Sequence, residues 1–212
     1  DTQNGGRISI SAGASSTSNG GDISMISGFS SSESIGGHFS IITGSSSATS
    51  GGLTLMTGKE NATQSGDVLI TTGATGSGNT SGDIEIKTGE AETPGALKIT
   101  GANGGETNTG GSVKMISGSG SSSGAFTIST DDGNSGVSGK LFLYTGTAVS
   151  GSTGAIALKS GTATLGTGGS VSISVGSGDI STGGRITLSA GMSTLATGGA
   201  ISITTGYGKA SS

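Results

Sequence analysis

The sequence lacks cysteine and tryptophan, and it holds one proline and one histidine. Without cysteine there is no disulfide framework and no indication of the redox compartment. The single histidine, His38, falls at an outward position of a predicted strand, where we expect a solvated side chain rather than a catalytic one. No pattern of catalytic residues emerges, so we predict that the chain is not an enzyme and has no cofactor.

Basic residues and long apolar runs are also scarce. The 212 residues include 9 Lys and Arg against 13 Asp and Glu, for a net charge of -4. This balance gives no basic stripe and excludes nucleic acid as a partner. No run approaches 18 apolar residues, so we predict no membrane span. The chain begins with Asp1 rather than Met, which is expected of a processed chain or of an excerpt from a longer one.

Glycine is abundant, with 46 residues, and it recurs with a period. A glycine, here called the anchor glycine, precedes each short apolar segment and returns at intervals of about fifteen residues. The interval varies up to Gly124 and is constant from Gly124 onward. The anchors are Gly6, Gly21, Gly37, Gly51, Gly66, Gly82, Gly95, Gly111, Gly124, Gly139, Gly154, Gly169, Gly184 and Gly199.

Two large apolar residues, here called the apolar pair, lie two and four positions after each anchor glycine. No repeat lacks its pair. The pairs are Ile8/Ile10, Ile23/Met25, Phe39/Ile41, Leu53/Leu55, Val68/Ile70, Ile84/Ile86, Leu97/Ile99, Val113/Met115, Phe126/Ile128, Leu141/Leu143, Ile156/Leu158, Val171/Ile173, Ile186/Leu188 and Ile201/Ile203. Because alternate residues of a strand share a face, the spacing predicts strands that bury these pairs.

Short strands that recur in this way predict an all-β fold, a parallel β-solenoid (β-helix) of about 14 coils with about 15 residues per coil, forming one domain over residues 1–212. Leu165, Ile180 and Leu195 each lie eleven positions after an anchor glycine, and they are expected to form the wall of the core opposite the apolar pairs. The alternative is a disordered Gly/Ser linker. A disordered linker does not need an apolar pair at the same position in every repeat, so the solenoid is preferred.

The outward positions of the predicted strands carry a second set of large residues. Ile26, Ile42, Met56 and Leu69 make an apolar patch over four successive repeats, and Phe142 and Tyr144 make an aromatic pair. Such patches on a lone rod indicate a surface for assembly or packing. The alternative is a curved face that half-buries them.

Polar motifs are few. Asp131, Asp132 and Asn134 form the one acidic cluster, which is either a weak candidate for a Ca²⁺ site or a plain polar turn. Asn61 and Asn79 begin glycosylation sequons, a number that chance explains in a chain this rich in serine and threonine.

The Gly-x-Ile-x-Ile-x-Ser/Thr-Gly repeats resemble the low-complexity β-solenoids of cell-surface fibres, adhesin stalks and flagellar hairs. This resemblance implies a structural protein, extracellular or at the cell surface, that associates with itself in filaments or with neighbouring solenoid segments. It allows glycans as a further class of partner. Another interpretation is a carbohydrate-binding or adhesive module that uses Phe142 and Tyr144.

The repeats also resemble ice-binding solenoids. That alternative implies a Ser/Thr face, which contains Ser9, Ser24, Ser40, Ser172, Thr187 and Ser202. Glu85, Lys98 and Lys114 interrupt this face. The structural interpretation is therefore preferred.

Neither end of the sequence carries a recognisable cap. A solenoid without caps exposes apolar side chains and unpaired edges. We therefore predict that Ile8 and Ile10 of one copy stack on Ile201 and Ile203 of another, or that further coils cover them.

Overall fold

A computed structural model describes residues 5–31, 34–58, 64–105, 107–180 and 182–208. None of these residues lies in a helix or a strand. The predicted parallel β-solenoid is therefore wrong, and so is the all-β class. In its place the structure has unbent apolar segments of about eight residues, joined by loops.

Each apolar segment begins at an anchor glycine, and at six described junctions a hydrogen bond joins that glycine to the end of the segment before it. The N–H of Gly21 donates to the carbonyl of Gly13 at 2.9 Å, and the N–H of Gly37 donates to that of Gly28 at 2.8 Å. Four further junctions repeat the bond. Their donors and acceptors are Gly51 and Gly44, Gly111 and Ala102, Gly124 and Gly118, and Gly199 and Gly191. The acceptor always lies seven residues after its own anchor, so the bond closes the intervening loop, and we call this closure the neck.

The backbone bends only within the loops. Bends or turns occur in every described loop, for example at residues 16–18, 134–136, 164–166 and 194–196. Serine hydroxyls fix some of them. Ser15 Oγ accepts the N–H of Ser18 at 2.9 Å, and Ser193 Oγ accepts the N–H of Ala196 at 2.9 Å. These are local side-chain turns of the kind that serine favours outside regular structure.

At the neck of Gly37 glycine is required, because the two backbones approach closely there. A Cβ on Gly37 would lie 2.8 Å from the nitrogen of Gly28, which is closer than real Cβ atoms come. Positive φ is not the reason. Among the described residues it occurs at Gly78 and Gly151, which lie in loops and not at necks.

The described chain is best covered where the end of a segment lies against the next anchor glycine. None of the described residues is buried, and most of the half-buried ones lie six positions after an anchor glycine. They are small residues covered by the next anchor. Ala12, Thr43, Thr57, Thr72, Gly101 and Ser117 belong to this group.

The chain leaves most of its surface in contact with solvent. It exposes 21631 Å². A compact protein of this mass would expose about 8,600 Å², and its unfolded chain about 29,000 Å². The predicted far wall of the core is also wrong, because Leu165, Ile180 and Leu195 have relative exposures of 102%, 100% and 98%.

The chain divides into two units, Asp1–Thr100 and Gly101–Ser212. The intervals between anchors vary throughout the first unit. The second unit has one irregular interval, from Gly111 to Gly124, and then the run of constant length that starts at Gly124. Each unit has seven apolar pairs.

The solenoid is absent because the hydrogen bonds that join repeats are local. A parallel solenoid needs each strand to bond along its length with the equivalent strand one coil away. Here the bond spans only the loop, from one anchor back to the end of the preceding segment. Two large apolar residues per repeat bury too little surface to offset the ordering of a glycine-rich backbone, which loses more entropy than any other.

Replacing Gly37 with alanine should open its neck, because the new Cβ would collide with the nitrogen of Gly28. One net hydrogen bond contributes about 1 kcal/mol, so hydrogen exchange at the amide of position 37 should accelerate about fivefold.

The matched control is Gly28→Ala on the acceptor side of the same neck, where a Cβ would meet nothing within 4 Å. Exchange at position 37 should then change less than twofold. Equal acceleration in both variants would contradict the close-approach explanation.

Candidate functional site

The apolar pairs form the most extensive candidate surface of the chain. From the second repeat to the last, the first member of each pair is 50–60% exposed. From the first repeat to the thirteenth, the second member is 56–71% exposed. Large apolar residues in the loops, such as Leu165, have no cover at all. The pairs are therefore half covered, and they remain available to a partner.

Neighbouring repeats supply the cover that the pairs do have. Ile8, which has no described repeat before it, is 90% exposed, whereas Ile10 matches its counterparts elsewhere. At the other end the order reverses, because Ile201 is 51% exposed and Ile203 is 89% exposed. The first member of a pair thus depends on the preceding repeat and the second member on the following one. This is the nearest-neighbour contact of a repeat protein.

The outward residues chosen from the sequence are more exposed than the apolar pairs of their own repeats. Ile26, Ile42, Met56 and Leu69 all lie in the first unit and are 75–88% exposed. Phe142 and Tyr144 lie in the second unit and are exposed as well. Their role in assembly or in binding carbohydrate stays a prediction.

Charged side chains of the same face interact within one segment. Lys87 Nζ lies 3.1 Å from Glu85 Oε1, and both side chains are exposed. Glu85 thus pairs two residues along its own segment. An exposed ion pair of this kind contributes about 1 kcal/mol or less.

The acidic cluster makes a local contact. Asp131 Oδ1 accepts the N–H of Asp132 at 2.9 Å. Within the described parts of the chain, no three His, Cys, Asp or Glu residues come together as a metal site would require. Asp131 also stands at the neck position that is glycine in most repeats. The weak Ca²⁺ candidate of Asp131, Asp132 and Asn134 therefore gains no support.

The six residues of the predicted ice face are all exposed. Ice binding depends on evenly spaced hydroxyls, which a sheet would supply. The described residues form no sheet that would supply this spacing, and ice binding stays a prediction from the sequence.

The neck was not predicted from the sequence. Its acceptor is the residue seven positions after each anchor, and that residue is a glycine in most repeats. This second periodic glycine was the signal that could have revealed it, because a pair of periodic glycines flanking a loop indicates close approach of the two backbones.

Of the two sequons, Asn61 lies outside the described residues. Asn79 is exposed beside a turn, where its N–H donates to the carbonyl of Gly76 at 3.3 Å and its carbonyl accepts the hydroxyl of Thr75 at 3.4 Å. Both hydrogen bonds use the backbone of Asn79, so the carboxamide is left accessible.

We expect Asn79 to carry a glycan when the chain passes through a glycosylating secretory pathway, since acceptor sites lie on exposed loops. Peptide mass mapping would detect it. Ser81→Ala keeps Asn79 but removes the sequon, and should remove the added mass. An unmodified Asn79 in the secreted parent chain would refute the prediction.

Comparison of the chain with protein families, with curated proteins and with solved structures finds no match. Across the described residues, no helix has the length and apolar character needed to cross a membrane.

Proposed function

We propose that this chain is a structural segment of an extracellular or cell-surface fibre, and that it associates with itself. The observation that carries the proposal is the exposed surface of 21631 Å², about two and a half times that of a compact protein of this mass. A chain with so much uncovered apolar surface gains stability by covering it with a partner.

The repetition of the apolar pairs favours a structural role over a catalytic one. Fourteen equivalent pairs give the chain a uniform surface along its sequence, whereas a catalytic site needs a few different groups brought together. The low net charge of -4 opposes association only weakly.

Contact between successive repeats provides a route to extension along the chain direction. Ile8 lacks the cover that a preceding repeat gives, and Ile203 lacks the cover that a following repeat gives. Another copy or further repeats would supply both. A junction of this type joins unlike surfaces, so it propagates instead of closing.

Self-association should appear as a mass that grows with concentration in multi-angle light scattering. Ile8→Asp should shift the midpoint of this increase to at least tenfold higher concentration, because it places an unpaired charge in the apolar contact that another copy would make with the first repeat. A monodisperse monomer at high concentration would contradict the proposal.

Ser9→Asp is the matched control, since it adds the same charge at the adjacent outward position of the same segment. It should shift the midpoint less than threefold. Equal shifts in the two variants would show that net charge, and not apolar contact, governs association.

A further inference from the structure

We propose that two copies of this chain meet through one face of the second unit, and this rests on the proposed self-association. In each segment, the residues two, four and six positions after the anchor glycine form what we call the pair face. The residues one, three, five and seven positions after it form the outer face. In the segment that begins at Gly184, the pair face contains Ile186, Leu188 and Ala190. The occupant of the pair face is the same face of a second copy.

Charge separates the two faces. The pair face of the second unit contains no charged residue in any of its segments. Charged residues are depleted in the same way from the centre of protein interfaces. The charges of these segments all lie on the outer face, at Lys114, Asp131, Lys140, Lys159 and Arg185.

The outer face of the second unit is unsuited to meeting itself. Four of its five charges are positive. Two copies that met there would place like charges together, which is unfavourable at an interface. The pair face has no such penalty, so it is the face that a second copy can cover.

The exposed area is sufficient for a stable dimer. The seven pairs of the second unit supply fourteen side chains, each half exposed or more. Covering one such side chain removes roughly 60–120 Å² if it starts fully exposed. About three fifths of that area is still exposed in the chain. Covering it would remove on the order of 1,000–2,000 Å² for two copies, as stable interfaces require.

Constant spacing lets two copies stay in register. From Gly139 to Gly199 the anchors recur every fifteen residues, so apolar pairs that match at one repeat also match at the next. In the first unit the interval varies, and a match at one repeat is lost at another. Because both copies use the same face, the contact closes as a dimer and differs from end-to-end propagation.

Ile186→Lys and Thr187→Lys provide the first test, since they add the same charge to adjacent residues on opposite faces. Sedimentation velocity of the full chain should show that Ile186→Lys weakens dimerisation at least tenfold and that Thr187→Lys weakens it less than threefold. Equal effects would overturn the proposal.

Site-specific crosslinking is the second test, and it does not depend on comparing stabilities. The chain has no cysteine, so one can be introduced at a time. Cysteine in place of Leu141, Ile156, Val171, Ile186 or Ile201 should give, for at least one position, a disulfide-linked dimer ten times faster than cysteine in place of Thr187. Comparable rates at all of these positions would overturn the pair-face interface.

The outcomes also separate this inference from the proposed function. If the copies associate but only Ile26→Lys, in the outward patch of the first unit, disrupts them, the fibre function stands and the pair-face interface is wrong. If the chain stays monomeric at every concentration, both are wrong.

Discussion

The organisation of this chain depends on the hydrogen bond at the neck, from an anchor glycine to the carbonyl that ends the preceding segment. It occurs at six described junctions, always with the acceptor seven residues after its own anchor. The bond closes a loop and brings two backbones so close that a Cβ on Gly37 would collide. Glycine is therefore a requirement of close packing at position 37, whereas at the other five necks a Cβ would lie 3.0–3.7 Å from its nearest neighbour.

A neck orders a repeat without giving it a core. Each repeat has only two large apolar side chains, and adjacent repeats cover them by about half. Ile8, the first member of the first pair, and Ile203, the second member of the last pair, are the most exposed of the pair residues. This difference shows that the cover comes from the repeats on either side. What remains exposed is a periodic, uncharged surface, which is the property on which both the fibre proposal and the dimer through the pair face depend.

The predicted solenoid was wrong for a reason that lies in its hydrogen bonds. The regular recurrence of the apolar pairs indicates that the segments share one local structure. Many three-dimensional arrangements of such segments are compatible with it. Gly21 bonds to Gly13 within the loop and not to a residue one full repeat away. Leu165, Ile180 and Leu195 share a phase, yet with no coil closing around a core they stay fully exposed. Phase alone does not reveal whether a side chain meets another surface.

The sequence by itself determined the repeat: its period, the glycines that bound each segment, the position of the loops and the placement of charges on one face. These properties are local, because they follow from residue type and from the alternation of side chains along an unbent backbone. The tertiary structure alone decided which backbone groups pair and how much of each apolar side chain is covered. Those properties depend on distances between residues in different repeats, and a regular sequence permits several such arrangements with similar local energies.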